Sequence, residues 1–212
     1  MSGNRVIAID GQAGSGKSTL ARALSAATAL PYLNTGSMYR ALTAVALREG
    51  LSVDDGAELA ERLQRIEFGI AQGDLLIDGA AGDVSLTLPE VEANVSAVAR
   101  HPQVRVLMAE IQRRLAADGA VMEGRDIATV IFPDAAVKIF LDAPQEVRAA
   151  RRIAERAADA ETVADELAAR DARDAMTNPP IPAAGAIVIQ TAGRSADEVA
   201  AIALAAARER LA

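Results

Sequence analysis

The chain has no cysteine, so disulfides and thiolate metal sites are closed to it and its core must hold by packing alone. Its length of 212 residues is enough for one mid-sized domain with such a core. Histidine is nearly absent too. The single one, His101, precedes Pro102 where a helix is expected to begin, and reads as a cap or surface residue, not a catalytic base. No His or Cys cluster offers a metal site. Long apolar runs are also missing: 51% of residues are hydrophobic, yet no uninterrupted stretch approaches the ~20 residues of a membrane-spanning helix. The leading Met1-Ser-Gly-Asn-Arg-Val lacks the apolar region of a secretory signal. The expectation is a soluble cytoplasmic protein.

Positive charge is in deficit as well. The formal net charge of −7 excludes a broad nucleic-acid or anionic-membrane surface, so any phosphate site must be a local concentration of basic groups. Only Lys17 and Lys138 are lysines among 22 basic residues. The expected partners are therefore small molecules, with the chain acting as a monomer.

Apolar runs at Arg5–Asp10, Ala120–Glu123, Ala136–Leu141 and Gly185–Gln190 read as buried strands, each followed by helical sequence. This rhythm predicts an α/β fold with a five-stranded parallel sheet flanked by helices. Ile66–Ala71 and Asp74–Asp78 flank Gln72-Gly73 and predict a hairpin outside that rhythm, a candidate acceptor-side insertion. Pro144–Ala175 predicts two helical segments, broken by Asn178-Pro-Pro-Ile-Pro182, and Ser195 is expected to cap a last helix through Leu211.

The strongest motif is Gly11-Gln12-Ala13-Gly14-Ser15-Gly16-Lys17-Ser18, which matches G-x-x-x-x-G-K-[ST] between a strand and a helix. Glycines allow the backbone to wrap a phosphate with its N–H groups, and the helix start adds a favourable field. Lys17 is expected to bridge the β- and γ-phosphates of ATP, the Ser18 hydroxyl to ligate Mg²⁺, and Thr19 to reach the α-phosphate. Such a loop does not name the acceptor.

Phosphoryl transfer between two anions requires further fixed positive charge. Asn34-Thr35-Gly36-Ser37-Met38-Tyr39-Arg40 opens a helix, so Thr35, Tyr39 and Arg40 could meet an anion there; an ordinary helix cap explains the same residues. Arg125 follows a buried strand, where α/β sheets place their ligand crevice, and could clamp an acceptor phosphate; Asp126 would bond a base amine or orient the arginine. Arg148, Arg151 and Arg152 share one helix face, either solvated or part of a lid that excludes water. Arg170 and Asp174 share another, suited to internal ion pairing or to ribose and phosphate contact.

Asp10–Thr19, Asn34–Arg40, Gly124-Arg-Asp-Ile-Ala-Thr-Val-Ile-Phe-Pro-Asp134 and Arg170-Asp-Ala-Arg-Asp174 together resemble, in order and over nearly the whole chain, the bacterial cytidylate kinase family of nucleoside monophosphate kinases. The resemblance implies transfer from MgATP to CMP, and to dCMP, in pyrimidine nucleotide metabolism. It further implies that Thr35, Tyr39, Arg40 and Arg125 hold the monophosphate, that Ser96, Arg105 and Asp126 read the cytosine, and that Arg170 and Asp174 contact phosphate and sugar. Lys17, Arg125, Arg151 and Arg152 would carry catalysis. A carboxylate suits the N4 amine of cytosine and opposes the O4 of uracil. The expected organisation is a core at 1–65, 86–147 and 171–212, a monophosphate-binding insertion at about 66–85 and a lid at about 148–170. The sequence departs from the family pattern at Asn34 (usually Asp), Ala128 (usually Gly), Thr177 (where Arg is expected) and the Thr87-Leu-Pro89 region, which lacks an Arg. The lid is also short and alanine-rich.

Overall fold

The computed structural model describes residues 5–71, 74–81, 84–156 and 160–211. Its central element is a five-stranded sheet in the order β2-β6-β1-β7-β8, from β1 (Ile7–Gly11), β2 (Tyr32–Asn34), β6 (Val121–Gly124), β7 (Val137–Asp142) and β8 (Ile187–Gln190). The pairs β1–β6, β1–β7 and β7–β8 are parallel. The chain divides into two compact units, Met1–Leu30 with Val121–Ala212, and Pro31–Ala120.

In the first unit β1 is buried along its whole length. An apolar run without polar alternation suits a strand covered on both faces, and Ile7, Ala8 and Ile9 have no solvent exposure. The parallel register places Ile9 beside Glu123 and Gly11 beside Leu141, so the loops after β1, β6 and β7 leave from the same edge. Helix α1 (Lys17–Thr28) follows the glycine loop, with Leu20, Ala21 and Leu24 turned inward. Two further helices, α6 (Gln145–Arg156) and α7 (Ala160–Thr177), follow β7. The last, α8 (Ala196–Leu211), follows Ser195, whose hydroxyl accepts the Glu198 N–H at 3.2 Å while Glu198 Oε2 accepts the Ser195 N–H at 2.7 Å. These two bonds form a reciprocal capping box.

In the second unit α2 (Thr35–Glu49) and α3 (Gly56–Leu63) begin at side-chain caps: Asn34 Oδ1 accepts the Ser37 N–H, and Asp55 Oδ1 accepts those of Ala57 and Glu58. Two more helices, α4 (Pro89–Ala99) and α5 (Pro102–Leu115), open on proline, whose missing N–H costs nothing in a first turn. Met38, Leu42, Leu59, Leu63, Val98 and Met108 form the fully buried interior of this unit. His101 precedes α5 without a capping bond from its side chain; instead its Nε2 lies 2.9 Å from the Val53 carbonyl.

The predicted hairpin becomes three antiparallel strands, β3 (Phe68–Ala71), β4 (Asp74–Ile77) and β5 (Ala80–Ala81). The added strand follows from Asp78-Gly79, both in the left-handed region (φ 51° and 79°), the pairing that tight hairpin turns require. The predicted Gln72-Gly73 turn lies outside the described residues. No described helix is long and apolar enough to cross a membrane.

Candidate functional site

The loop from Gly11 to Gly16 joins β1 to α1, and its close packing dictates its residues. A Cβ on Gly11 would lie 2.5 Å from the Leu141 carbonyl oxygen, and one on Gly14, at φ 74°, would lie 2.9 Å from that of Arg148. Both contacts are closer than real Cβ atoms make, so neither position admits a side chain. Gly16 precedes α1 and supplies no capping side chain, which leaves the first N–H groups of the helix to an external partner.

Lys17 folds back so that Nζ donates to the Gln12 carbonyl at 2.7 Å. Its pKa is driven well below the ordinary lysine value, first by removal from water and then by the Arg125 and Arg170 guanidiniums, against the pull of Glu123 and Asp10. A buried cation crowded by other cations is strongly disposed to accept an anion. One residue on, the Ser18 hydroxyl lies 2.8 and 3.0 Å from the two carboxylate oxygens of Glu123 at the end of β6. Glu123 is buried. Sequence reading assigned it no role, although an acidic residue closing an apolar strand is the signal that marks it.

Arg125 leaves the end of β6 with three of the five N–H groups of its guanidinium engaged. Nη1 donates to the Gly11 carbonyl at 2.6 Å, and Nε and Nη2 donate to Asp174 Oδ2 at 3.1 Å each. Burial lowers its pKa, and Asp174 opposes that shift. Arg170 stands one helical turn away on α7, its Nε 3.9 Å from the same Asp174 oxygen. The sequence left open whether Asp126 orients Arg125; the guanidinium donates to Asp174 and Gly11. A small pocket here is lined by Gly11, Gln12, Arg125, Asp171 and Asp174.

Asp126 begins a tight turn whose next two N–H groups, of Ile127 and Ala128, each donate at 2.8 Å to the buried Asp10 carboxylate. Burial raises the Asp10 pKa to about 6; the two N–H bonds oppose the rise, Asp126 adds to it and Lys17 counters it. Ala128 does not have the positive φ that would demand glycine, so the departure from the family pattern is sterically free. Asn34, a second departure, caps α2 through Oδ1 as a carboxylate would.

The arginines of α6 separate into two kinds. Arg148, grouped with Arg151 and Arg152 on the sequence, is only 3% exposed and donates to the carbonyls of Ala143 and Ala13 and to Asp171 Oδ2 at 2.6 Å. It ties α6 and α7 to the loop. Arg151 and Arg152 line a cavity of about 450 Å³ together with Gly16, Lys17, Ser18 and Thr19. Thr191, Arg194 and Ser195, from the loop before α8, and Val199 in its first turn also line it.

The remaining candidates belong to the second unit. Thr35 is buried at the start of α2, and Tyr39 and Arg40 follow within its first two turns. Arg40 Nε donates to Glu92 Oε1 at 2.7 Å, joining α2 to α4. Ser96 lies one turn beyond Glu92 on α4, and Arg105 lies in the first turn of α5.

The chain resembles the solved gluconokinase from Sinorhizobium meliloti 1021 at a TM-score of 0.52 and 16% identity, over 98% of this chain and 93% of that one, which supports the fold alone. It is 40% identical to the cytidylate kinase of Lysinibacillus sphaericus over the full length of both chains. With that of Streptococcus sanguinis it shares 43% identity over 92% of each. The family model described as Cytidylate kinase matches residues 7–209. A match across almost every described element, with relatives aligned over 92% or more of both chains, means that the chain belongs to the cytidylate kinase family.

Proposed function

We propose that the protein transfers the γ-phosphoryl group of MgATP to CMP, and to dCMP, giving ADP and CDP or dCDP. The observation that carries this reading is the meeting of Lys17, the Ser18–Glu123 pair and Arg125 at the end of the sheet, in a chain of this family. An acceptor phosphate oxygen attacks the γ-phosphorus while the bond to the β–γ bridging oxygen breaks. The acceptor is already anionic, so no general base is needed and catalysis reduces to positioning and charge stabilisation.

The residues fit a divalent metal. A hydroxyl and a carboxylate are hard oxygen donors, and Mg²⁺ takes one or two protein ligands with water and phosphate completing its shell. Among the described residues no three His, Cys, Asp or Glu side chains form a cage of their own, which agrees with a metal arriving on the nucleotide. Bound there with ATP, Mg²⁺ supplies neutralisation of phosphate charge. The backbone from Gly11 to Thr19 cradles the triphosphate, Lys17 bridges the β- and γ-phosphates, and Arg151 and Arg152 face the transferring group from the cavity wall.

On the acceptor side, Thr35, Tyr39, Arg40 and Arg125 hold the monophosphate, Ser96, Arg105 and Asp126 read the cytosine edge, and Arg170 and Asp174 contact phosphate and sugar. Residues 66–85 serve as the acceptor-binding insertion and 148–170 as the lid, with Arg148 the anchor at its base. The protein acts in the cytoplasm as a monomer. A coupled assay over CMP, dCMP, UMP and AMP tests the reading; faster turnover of UMP or AMP than of CMP refutes the cytosine assignment.

A further inference from the structure

Arg151, on the cavity wall, has its guanidinium docked on the phosphate-binding loop, chiefly through one residue. Its Nη1 donates to Thr191 Oγ1 at 2.9 Å and its Nη2 to the Thr191 carbonyl at 2.8 Å, while Nη1 also lies 3.4 Å from the Gly14 carbonyl. Thr191 follows β8 and is 2% exposed. Its N–H donates to the Asp142 carbonyl at 2.8 Å, and its hydroxyl donates to the Ser15 carbonyl at 3.3 Å. A hydroxyl has one hydrogen to give and lone pairs to accept with. Here it gives to the loop and accepts from the arginine, so one buried group links the two, beside the direct contact of Nη1 with the Gly14 carbonyl.

We propose that Thr191 is a positioning residue for phosphoryl transfer, holding Arg151 at the mouth of the phosphate-binding loop. The inference rests on the reading that Arg151 faces the triphosphate. An arginine on a helix carries large rotamer freedom, which binding would otherwise have to remove. Held by three of its five N–H groups, Arg151 keeps two donors for phosphate oxygens, and a donor fixed before reaction contributes most to a developing charge. The link also makes the loop after β8 part of the donor site, although it lies 176 residues from Ser15 in the chain.

A double-mutant cycle tests this. Thr191→Val keeps the shape and removes the hydroxyl; kcat/KM for MgATP is expected to fall about tenfold, the size of one buried charge-assisted hydrogen bond, while KM for CMP changes little. Thr191→Ser, which retains the hydroxyl, is expected to recover activity to within about threefold of wild type. In an Arg151→Ala background Thr191→Val should add no further loss, because the group it positions is gone. Equal losses in both backgrounds, or wild-type kinetics for Thr191→Val, overturn the inference and leave the proposed reaction standing. Wild-type kinetics for Arg151→Ala overturn the placement of that arginine and this inference with it. Thr191→Ala serves the same cycle if the valine variant does not fold.

Discussion

The Ser18 hydroxyl donates to the Glu123 carboxylate, bridging the first turn of α1 and the end of β6 across 105 residues of sequence. Both groups are oxygen ligands of the kind that Mg²⁺ takes. Glu123→Gln retains the shape and an acceptor but loses the charge. The expected outcome is an increase of about tenfold or more in the free Mg²⁺ needed for half-maximal rate, measured by titrating Mg²⁺ at saturating nucleotide, with Mn²⁺ recovering part of the activity. An unchanged Mg²⁺ requirement rejects the assignment.

Lys17 is held where its charge is costly before substrate binds, by burial and by Arg125 and Arg170. Lys17→Met is therefore expected to raise the thermal midpoint of the ligand-free protein while lowering kcat by roughly 10² to 10³-fold. Calorimetry and the coupled assay read the two effects separately, and a midpoint at or below that of wild type contradicts the first.

Arg148 and Asp171 form an ion pair with side chains 4% and 12% exposed. Removing one member leaves the other buried and uncompensated, so Asp171→Ala is expected to cost about 3 kcal/mol or more of unfolding free energy, measured by denaturant titration. Arg152→Ala, on the cavity wall, should lower turnover with a stability change within about 0.5 kcal/mol.

Asp10 titrates in the opposite sense to most carboxylates. Its folded pKa is raised from 3.8 to about 6, so between those values the folded state holds a proton that the unfolded chain has released. Stability from this group therefore rises as pH falls from about 6 toward 4, by up to about 3 kcal/mol. The stability of wild type relative to Asp10→Asn should shift in favour of wild type over that window. A shift in the other direction would show that the carboxylate, not the acid, is the form favoured by the bonds from Ile127 and Ala128.

Arg40 and Glu92 make a mostly buried contact between α2 and α4. Glu92→Ala is expected to raise KM for CMP several-fold by freeing the guanidinium, with kcat and KM for ATP nearly unchanged and Glu92→Gln intermediate. Steady-state kinetics with varied CMP decide it.

The parts of this protein that were legible before the fold was known are those whose cause is local. The phosphate-binding loop announces itself because glycine spacing, a preceding apolar strand and a following helix act within about a dozen residues, and α1 follows the loop directly. Ser195 before α8 and Pro102 at the start of α5 belong to the same class. Asp78-Gly79 carried an equally local signal for β5, yet attention to Gln72-Gly73 ended the predicted hairpin one strand early.

Side-chain pairing across the chain was not legible. An arginine run on a helix has one spacing whether its members face water, a ligand or the core. Only the fold buried Arg148 beneath the loop and turned Arg151 onto Thr191. Residue types and spacing marked Arg125 as a clamp, but its partner Asp174 is 49 residues away. By itself the sequence determined the strand–loop–helix unit, the alternation that yields a parallel sheet and the supply of fixed positive charge, because these depend on φ/ψ preference, period and composition. Which charges meet, which are buried and which carboxylate faces Ser18 was decided by the tertiary structure, since those contacts exist only once distant strand ends are brought to one edge and water is excluded from between them.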